Sequence, residues 1–261
     1  MNFFISSLLH IGIVILTYMT FLYLLSSILK RSDIVDIGWG LGFIIVTLTS
    51  LLLATDITTR MLIITALVTV WGLRLAIHIY LRNKGKDEDF RYQNFKKKWG
   101  KHFWWKSYIN IFLLQGFLMI LISTPIIYRF TYPTTPLTFL DYIGVSIWLL
   151  GFLFEVISDF QLSRFIKEKK KGNTKERFLK TGLWSLSRHP NYFGEVTLWW
   201  GIWMICITKP ISLLTVIGPI TITYFIIKVS GAPLLEEKYE GNKEWEEYKK
   251  EVPIFIPLKI K

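Results

Sequence analysis

Cysteine is almost absent: Cys206 stands alone among 261 residues, so no internal disulfide can form and no cysteine-based metal centre can assemble. The four histidines, His10, His78, His102 and His189, show no metal-ligand spacing with one another or with carboxylates, so no resident metal is expected. The sequence also lacks a Walker-type phosphate loop, a G-x-G-x-x-G turn and a G-x-S-x-G nucleophile elbow, which removes the common soluble nucleotide-binding and hydrolase signatures. Acidic residues are scarce, 19 against 31 lysines and arginines, for a net charge of +12. That excess does not point to nucleic acid as a partner, because the charges lie between long apolar blocks.

What is abundant is apolar: 52% of the residues are hydrophobic and the mean hydropathy is +0.40. This composition predicts an all-α, polytopic transmembrane bundle embedded in membrane lipids. Seven spans are expected, at 3–29, 34–55, 61–81, 108–128, 138–159, 191–208 and 211–229, with the sixth interrupted by Lys209-Pro210. The first has no positive leader and no small-residue cleavage site, and is read as retained. With no internal repeat or linker, one domain over 1–261 is expected. Lys30, Arg31, the loops 82–107 and 160–190 and the tail carry most of the positive charge. The N-terminus is therefore expected outside and the C-terminus in the cytoplasm, in a bacterial inner membrane or, in a eukaryote, the endoplasmic reticulum.

Ionised groups inside apolar helices mark function by default, because each must find a partner or a wet cavity. They are Asp36, Arg74, His78, Glu155, Asp159, Glu195 and Lys228, nearly all in the cytoplasmic halves of their spans. Arg74 with His78, and Glu155 with Asp159, stand four apart and share helical faces, so a common pocket is expected. The densest polar run, Ser185-Leu-Ser-Arg-His-Pro-Asn-Tyr-Phe-Gly-Glu195, sits where the sixth span begins. Pro190 suits a first helical turn, since its missing N–H would have been unpaired there. Asn191 and Glu195 then share one face.

Arg91 beside Tyr92, and Arg188 beside His189, are the preferred phosphate ligands, because a guanidinium fork holds phosphate at two points. Most loop lysines are read as solvated or on anionic lipid. Gly38-Trp-Gly-Leu-Gly42 is read as a close-packing stripe. Asn242 to Glu251 predicts a surface helix, and the closing Ile254-Phe-Ile256 a segment folded back as part of a lid.

The run Gly182-Leu-Trp through Ser187-Arg-His-Pro-Asn-Tyr-Phe-Gly-Glu195 to Trp199-Trp200-Gly201, followed by Ser230-Gly-Ala-Pro-Leu-Leu-Glu, Tyr239 and Asn242, resembles the bacterial DUF1295 proteins. Asp36-Ile-Gly-Trp-Gly-Leu-Gly-Phe, Trp71-Gly-Leu-Arg-Leu and Asp89-Phe-Arg-Tyr extend the likeness over the chain. These proteins are related to the C-terminal domain of steroid 5α-reductases. The resemblance implies a membrane-embedded NADPH pocket in about 138–261, lined by Asn191, Glu195 and Asp159, with Glu155 where those reductases have Asn. Their substrate-polarising Gln-Glu pair has no counterpart here, and Trp71 stands near the place of their Tyr.

The expectation is an NADPH-dependent reductase of a lipid-like double bond in a hydrophobic small molecule. Asp36 is its leading acid, with Tyr192 and His78 as rivals for proton donation. Asn191, Glu195, Asp159, Arg188, His189, Arg74, Arg91 and Tyr92 are its cofactor-binding candidates. Two alternatives stay open: an S-adenosylmethionine-dependent methyltransferase of the isoprenylcysteine type, using Glu236-Glu237, and a non-catalytic lipid-binding protein.

Overall fold

The computed structural model describes residues 2–132, 136–229 and 231–258; Ser230 of the motif quoted above lies outside them. Every regular element among the described residues is helical, as the composition requires, because a backbone in lipid must satisfy its own polar groups. The helices are α1 (Asn2–Leu29), α2 (Ile34–Leu52), α3 (Thr59–Asn83), α4 (Phe90–Trp99), α5 (Phe103–Ser107), α6 (Leu114–Ile122), α7 (Thr124–Thr131), α8 (Phe139–Lys170), α9 (Pro190–Cys206), α10 (Ile217–Tyr224), α11 (Ala232–Glu236) and α12 (Lys243–Glu251). A π-helical turn, Tyr108–Leu113, joins α5 to α6, and another, Phe225–Val229, continues α10.

Among the described residues, six helical runs are long and apolar enough to cross a bilayer: Phe3–Leu29, Ile34–Leu52, Thr59–Asn83, Phe90–Ile122, Phe139–Lys170 and Pro210–Val229. The expected sixth span is a real helix, but α9 has 17 residues and reaches only about 25 Å at 1.5 Å per residue. The expected span 108–128 is corrected too. The helical run begins upstream at Phe90, changes direction at Gly100 and ends at Ile122, and Pro125, in the first turn of α7, belongs to a separate helix. At 32 residues, α8 is about 48 Å long and outruns the roughly 30 Å hydrocarbon core.

The chain forms two compact units: Met1–Thr138 with Cys206–Gly218, and Phe139–Ile205 with Pro219–Lys261. In the first, α1 turns Ile11, Ile15, Met19 and Leu22 inward while Leu9, Ile13 and Leu16 remain exposed. Both faces are apolar, as for a helix with protein on one side and lipid on the other. The glycine stripe of α2 is a packing surface, as its sequence predicts. A Cβ on Gly72 of α3 would stand 2.6 Å from Gly40 O, so only glycine allows this approach. Arg129, 1% exposed, donates from Nη1 to Thr208 Oγ1 at 2.8 Å, binding the 206–218 segment to α7.

In the second unit, α8 and α9 run antiparallel through facing glycines. A Cβ on Gly201 would stand 2.6 Å from Gly144 O, and one on Gly151 2.6 Å from Gly194 O. Beyond them, Phe178, Trp245, Tyr248 and Val252 form a small buried core with Tyr239 against it. Tyr248 donates to Trp184 O, Trp184 Nε1 donates to Ser158 O at 3.2 Å, and Leu183 N donates to Gln161 Oε1 at 3.0 Å. The loop before α9 is thereby pinned to α8, which fixes where the polar motif enters.

Candidate functional site

Within the first unit, the turn after α1 and the loop before α4 interlock. Arg31 grips Asp33 at two points, 3.1 and 2.8 Å, and reaches Lys86 O at 2.7 Å. Ser32 N donates to Glu88 Oε1, and Lys96 Nζ to Glu88 Oε2. This holds the start of α4 beside the start of α2. Asp36 there accepts from Tyr92 Oη at 2.5 Å and from Arg91 Nη2 at 2.7 Å, while Arg91 also bonds Asp89 through Nε at 3.0 Å. Burial pushes the Asp89 carboxyl up, but its bonds and charge contact with Arg91 outweigh that and hold it below the usual carboxylate range.

Arg91 is engaged by two carboxylates, and Asp36 is an ion-pair acceptor. The cause is the loop 84–89, which carries its own acids into the cluster and so consumes the guanidinium. Tyr92, expected to bind cofactor, is 4% exposed and oriented by Asp36. Arg74 and His78 stand one turn apart on α3, both half-buried and both engaged.

Within the second unit, Arg188 is a clasp. Its Nε and Nη2 bond Glu236 Oε1 and Oε2 at 2.8 and 3.2 Å, and its Nη1 bonds Lys249 O at 3.3 Å and Val252 O at 2.9 Å. Its backbone N donates to Pro253 O at 2.9 Å. His189, 4% exposed, is hydrogen-bonded to the same Glu236 Oε1 at 2.9 Å and stacks on Tyr192. Burial raises Glu236, but hydrogen bonds from His189 and Arg188 prevail and hold it below its ordinary value. Arg188 and His189 thus tie the C-terminal segment to the entry of α9. Phe255 packs edge-on against Phe193 at 5.6 Å, so the expected fold-back of the tail covers the entry to α9.

A second group of polar side chains joins α8 to α9. Asn191 Nδ2 donates to Asp159 Oδ1 at 3.2 Å, which turns Asn191 Oδ1 away from that carboxylate. This oxygen is buried and has no hydrogen-bond partner. Asp159, 6% exposed, and Glu155, 3% exposed, line the same face of α8; Glu195, half-buried, follows Asn191 by one turn of α9. A surface depression of about 540 Å³ is bordered by Lys169, Arg177, Tyr239, Glu240, Gly241 and Asn242. Glu236 is the partner of Arg188 and His189 that sequence reasoning undervalued. Its signal was the Ser-Gly-Ala-Pro-Leu-Leu-Glu run, but nothing local names Arg188 as its partner.

A family model described as "Protein of unknown function (DUF1295)" matches residues 22–252. No curated protein and no solved structure matches the chain.

Proposed function

The chain belongs to the DUF1295 family, and from that footing we propose that it is a membrane-embedded reductase that uses NADPH to saturate a double bond in a hydrophobic, lipid-like molecule. The observation that carries this reading is Asn191 Oδ1, a buried acceptor with no partner in a helix entry that resembles the cofactor-lining segment of steroid 5α-reductases. Leaving such an oxygen unpaired costs about 1–3 kcal/mol. The carboxamide N–H₂ of a nicotinamide is a donor of the required kind. The bond to Asp159 takes the Asn191 amide nitrogen and leaves Oδ1 as the open acceptor, and Glu195 is a second polar group on the same face.

NADPH would supply the hydride; the protein supplies position and charge. With Arg91 and Arg188 committed elsewhere, its phosphates are assigned to exposed cations of the second unit. Arg177, on the 540 Å³ depression, is the first of these. Proton handling is assigned to Tyr192, the phenol that follows Asn191 in the same unit and stacks on His189.

Thermal unfolding of purified protein with NADPH and with S-adenosylmethionine tests the reading, because a ligand that binds only the folded state raises the midpoint. Stabilisation by NADPH is expected. Stabilisation by the methyl donor alone would replace the reductase with a methyltransferase, and stabilisation by neither would favour a lipid-binding role.

A further inference from the structure

We propose that Lys97, Lys98 and Lys101, with Trp104 and Trp105, form a docking surface for the headgroups of anionic phospholipids, a property independent of the proposed reductase activity. The segment has two sides. One is packed inward: Tyr92 and Phe103 are buried, Phe95 stacks on Trp99 at 4.8 Å, and Trp99 reaches Phe103 at 6.1 Å. These rings follow one another at helical spacing and hold α4 and α5 against their own unit.

The other side has no such cover. Lys97, Lys98 and Lys101 are exposed and form no salt bridge among the described residues, unlike Lys96, which is taken by Glu88 at 2.6 Å and Lys30 O at 2.9 Å. No acidic residue occurs between Asp89 and Asp141, so their charge has no neighbour in sequence to offset it. Gly100, with φ of 48°, turns the chain between α4 and the following turns. Trp104 and Trp105 then emerge 53% exposed each, with Lys106 Nζ 5.5 Å from the Trp105 ring centroid.

Directly after them, Ser107–Ile122 contains no ionised side chain and begins the apolar part of a membrane run. Cations followed by indoles followed by hydrocarbon is the order of layers met on entering a leaflet. The ammonium groups suit lipid phosphates, and the indoles suit the glycerol level, where an apolar body and a polar N–H are both satisfied. A soluble phosphate would match the lysines but leave two half-exposed indoles in water, so the surface is assigned to lipid.

The test uses the full chain in mild detergent, titrated with phosphatidylglycerol, phosphatidylcholine or soluble glycerol phosphate, and read by native mass spectrometry and thermal shift. Phosphatidylglycerol should bind and stabilise more strongly than phosphatidylcholine, and glycerol phosphate should do neither. The triple change Lys97→Gln, Lys98→Gln, Lys101→Gln should weaken phosphatidylglycerol binding by at least tenfold, given about fivefold for each lysine. An equal charge change at Lys169, Lys170 and Lys171 should leave it in place, because Lys169 and Lys171 are held by Arg177 O and Glu168. Lys→Arg at the first three positions should keep binding, and Lys97→Gln alone should show the fivefold loss should the triple variant not fold. Full retention of the preference in the first triple variant, equal loss in both triples, or glycerol phosphate matching the lipid would overturn the proposal.

Discussion

Arg188 and Glu236, 48 positions apart in sequence, meet in a two-point ion pair at 2.8 and 3.2 Å, with side chains only 10% and 16% exposed. The remaining Arg188 bonds go to carbonyls at the end of α12. One side chain therefore couples the start of α9 to the segment that follows α12.

Removing one partner of such a pair leaves the other charge partly buried and unmatched. Glu236→Ala is expected to destabilise the second unit by roughly 2–3 kcal/mol, and Glu236→Gln by less because the amide can still accept one bond. Thermal unfolding and protease nicking after Val252 measure this. A wild-type nicking rate in Glu236→Ala would show that the clasp does not hold the tail.

Acid should loosen the same contact. Because Glu236 is held below its ordinary value in the folded protein, its contribution is complete above the usual carboxylate range and is lost as pH falls through the depressed value. Hydrogen exchange of residues 250–256 should accelerate over that acid window in the wild type. In Glu236→Gln the acid-induced step should be absent.

Tyr92→Phe removes one of the donors to Asp36 and should cost about 1 kcal/mol in stability. Under the reductase reading, Tyr192→Phe keeps NADPH-induced stabilisation but loses turnover of an accepted enone. Turnover equal to wild type in Tyr192→Phe would remove that phenol from proton handling.

Asn191→Leu should fold, since it replaces a half-satisfied amide with a similar volume, yet lose most of the NADPH-induced rise in melting temperature. Asp159→Asn should have a smaller effect, because an Asn oxygen can still accept from Asn191 Nδ2. Undiminished NADPH stabilisation in a folded Asn191→Leu protein would remove the cofactor from this position.

Gly151→Ala and Gly201→Ala should each destabilise the second unit by about 1–3 kcal/mol, because the added methyl overlaps backbone on the facing helix. Gly12→Ala, where a Cβ meets nothing within 4 Å, is the control and should be neutral or slightly stabilising. Melting temperatures in one detergent settle the order.

Local chemistry was readable in advance. Apolar runs gave the helices, Pro190 gave the start of α9, and the pairing of small residues gave close helix contacts, because each depends on neighbours within a few turns. Partner choice was not readable. Asp36 could have met several cations, and its bonds to Arg91 and Tyr92 follow from the α1–α2 turn locking onto the loop 84–89. Arg188 carried a phosphate-binding signature in isolation, yet Glu236 and two carbonyls arrive from a distant stretch and take its donors. Helix limits shifted for a related reason: Pro125 divides an apolar run that hydropathy alone treats as continuous.

The interleaving of the two units constrains how the chain can be made and cut. Cys206–Gly218 completes the unit that begins at the N-terminus, while Pro219–Lys261 returns to the unit begun at Phe139. During synthesis, the Thr208 hydroxyl that receives Arg129 emerges long after α7, and the Glu236 that receives Arg188 emerges later still. Neither half can be expressed as one uninterrupted fragment. A ribosome that stops at residue 205 releases two incomplete bodies rather than one finished and one missing.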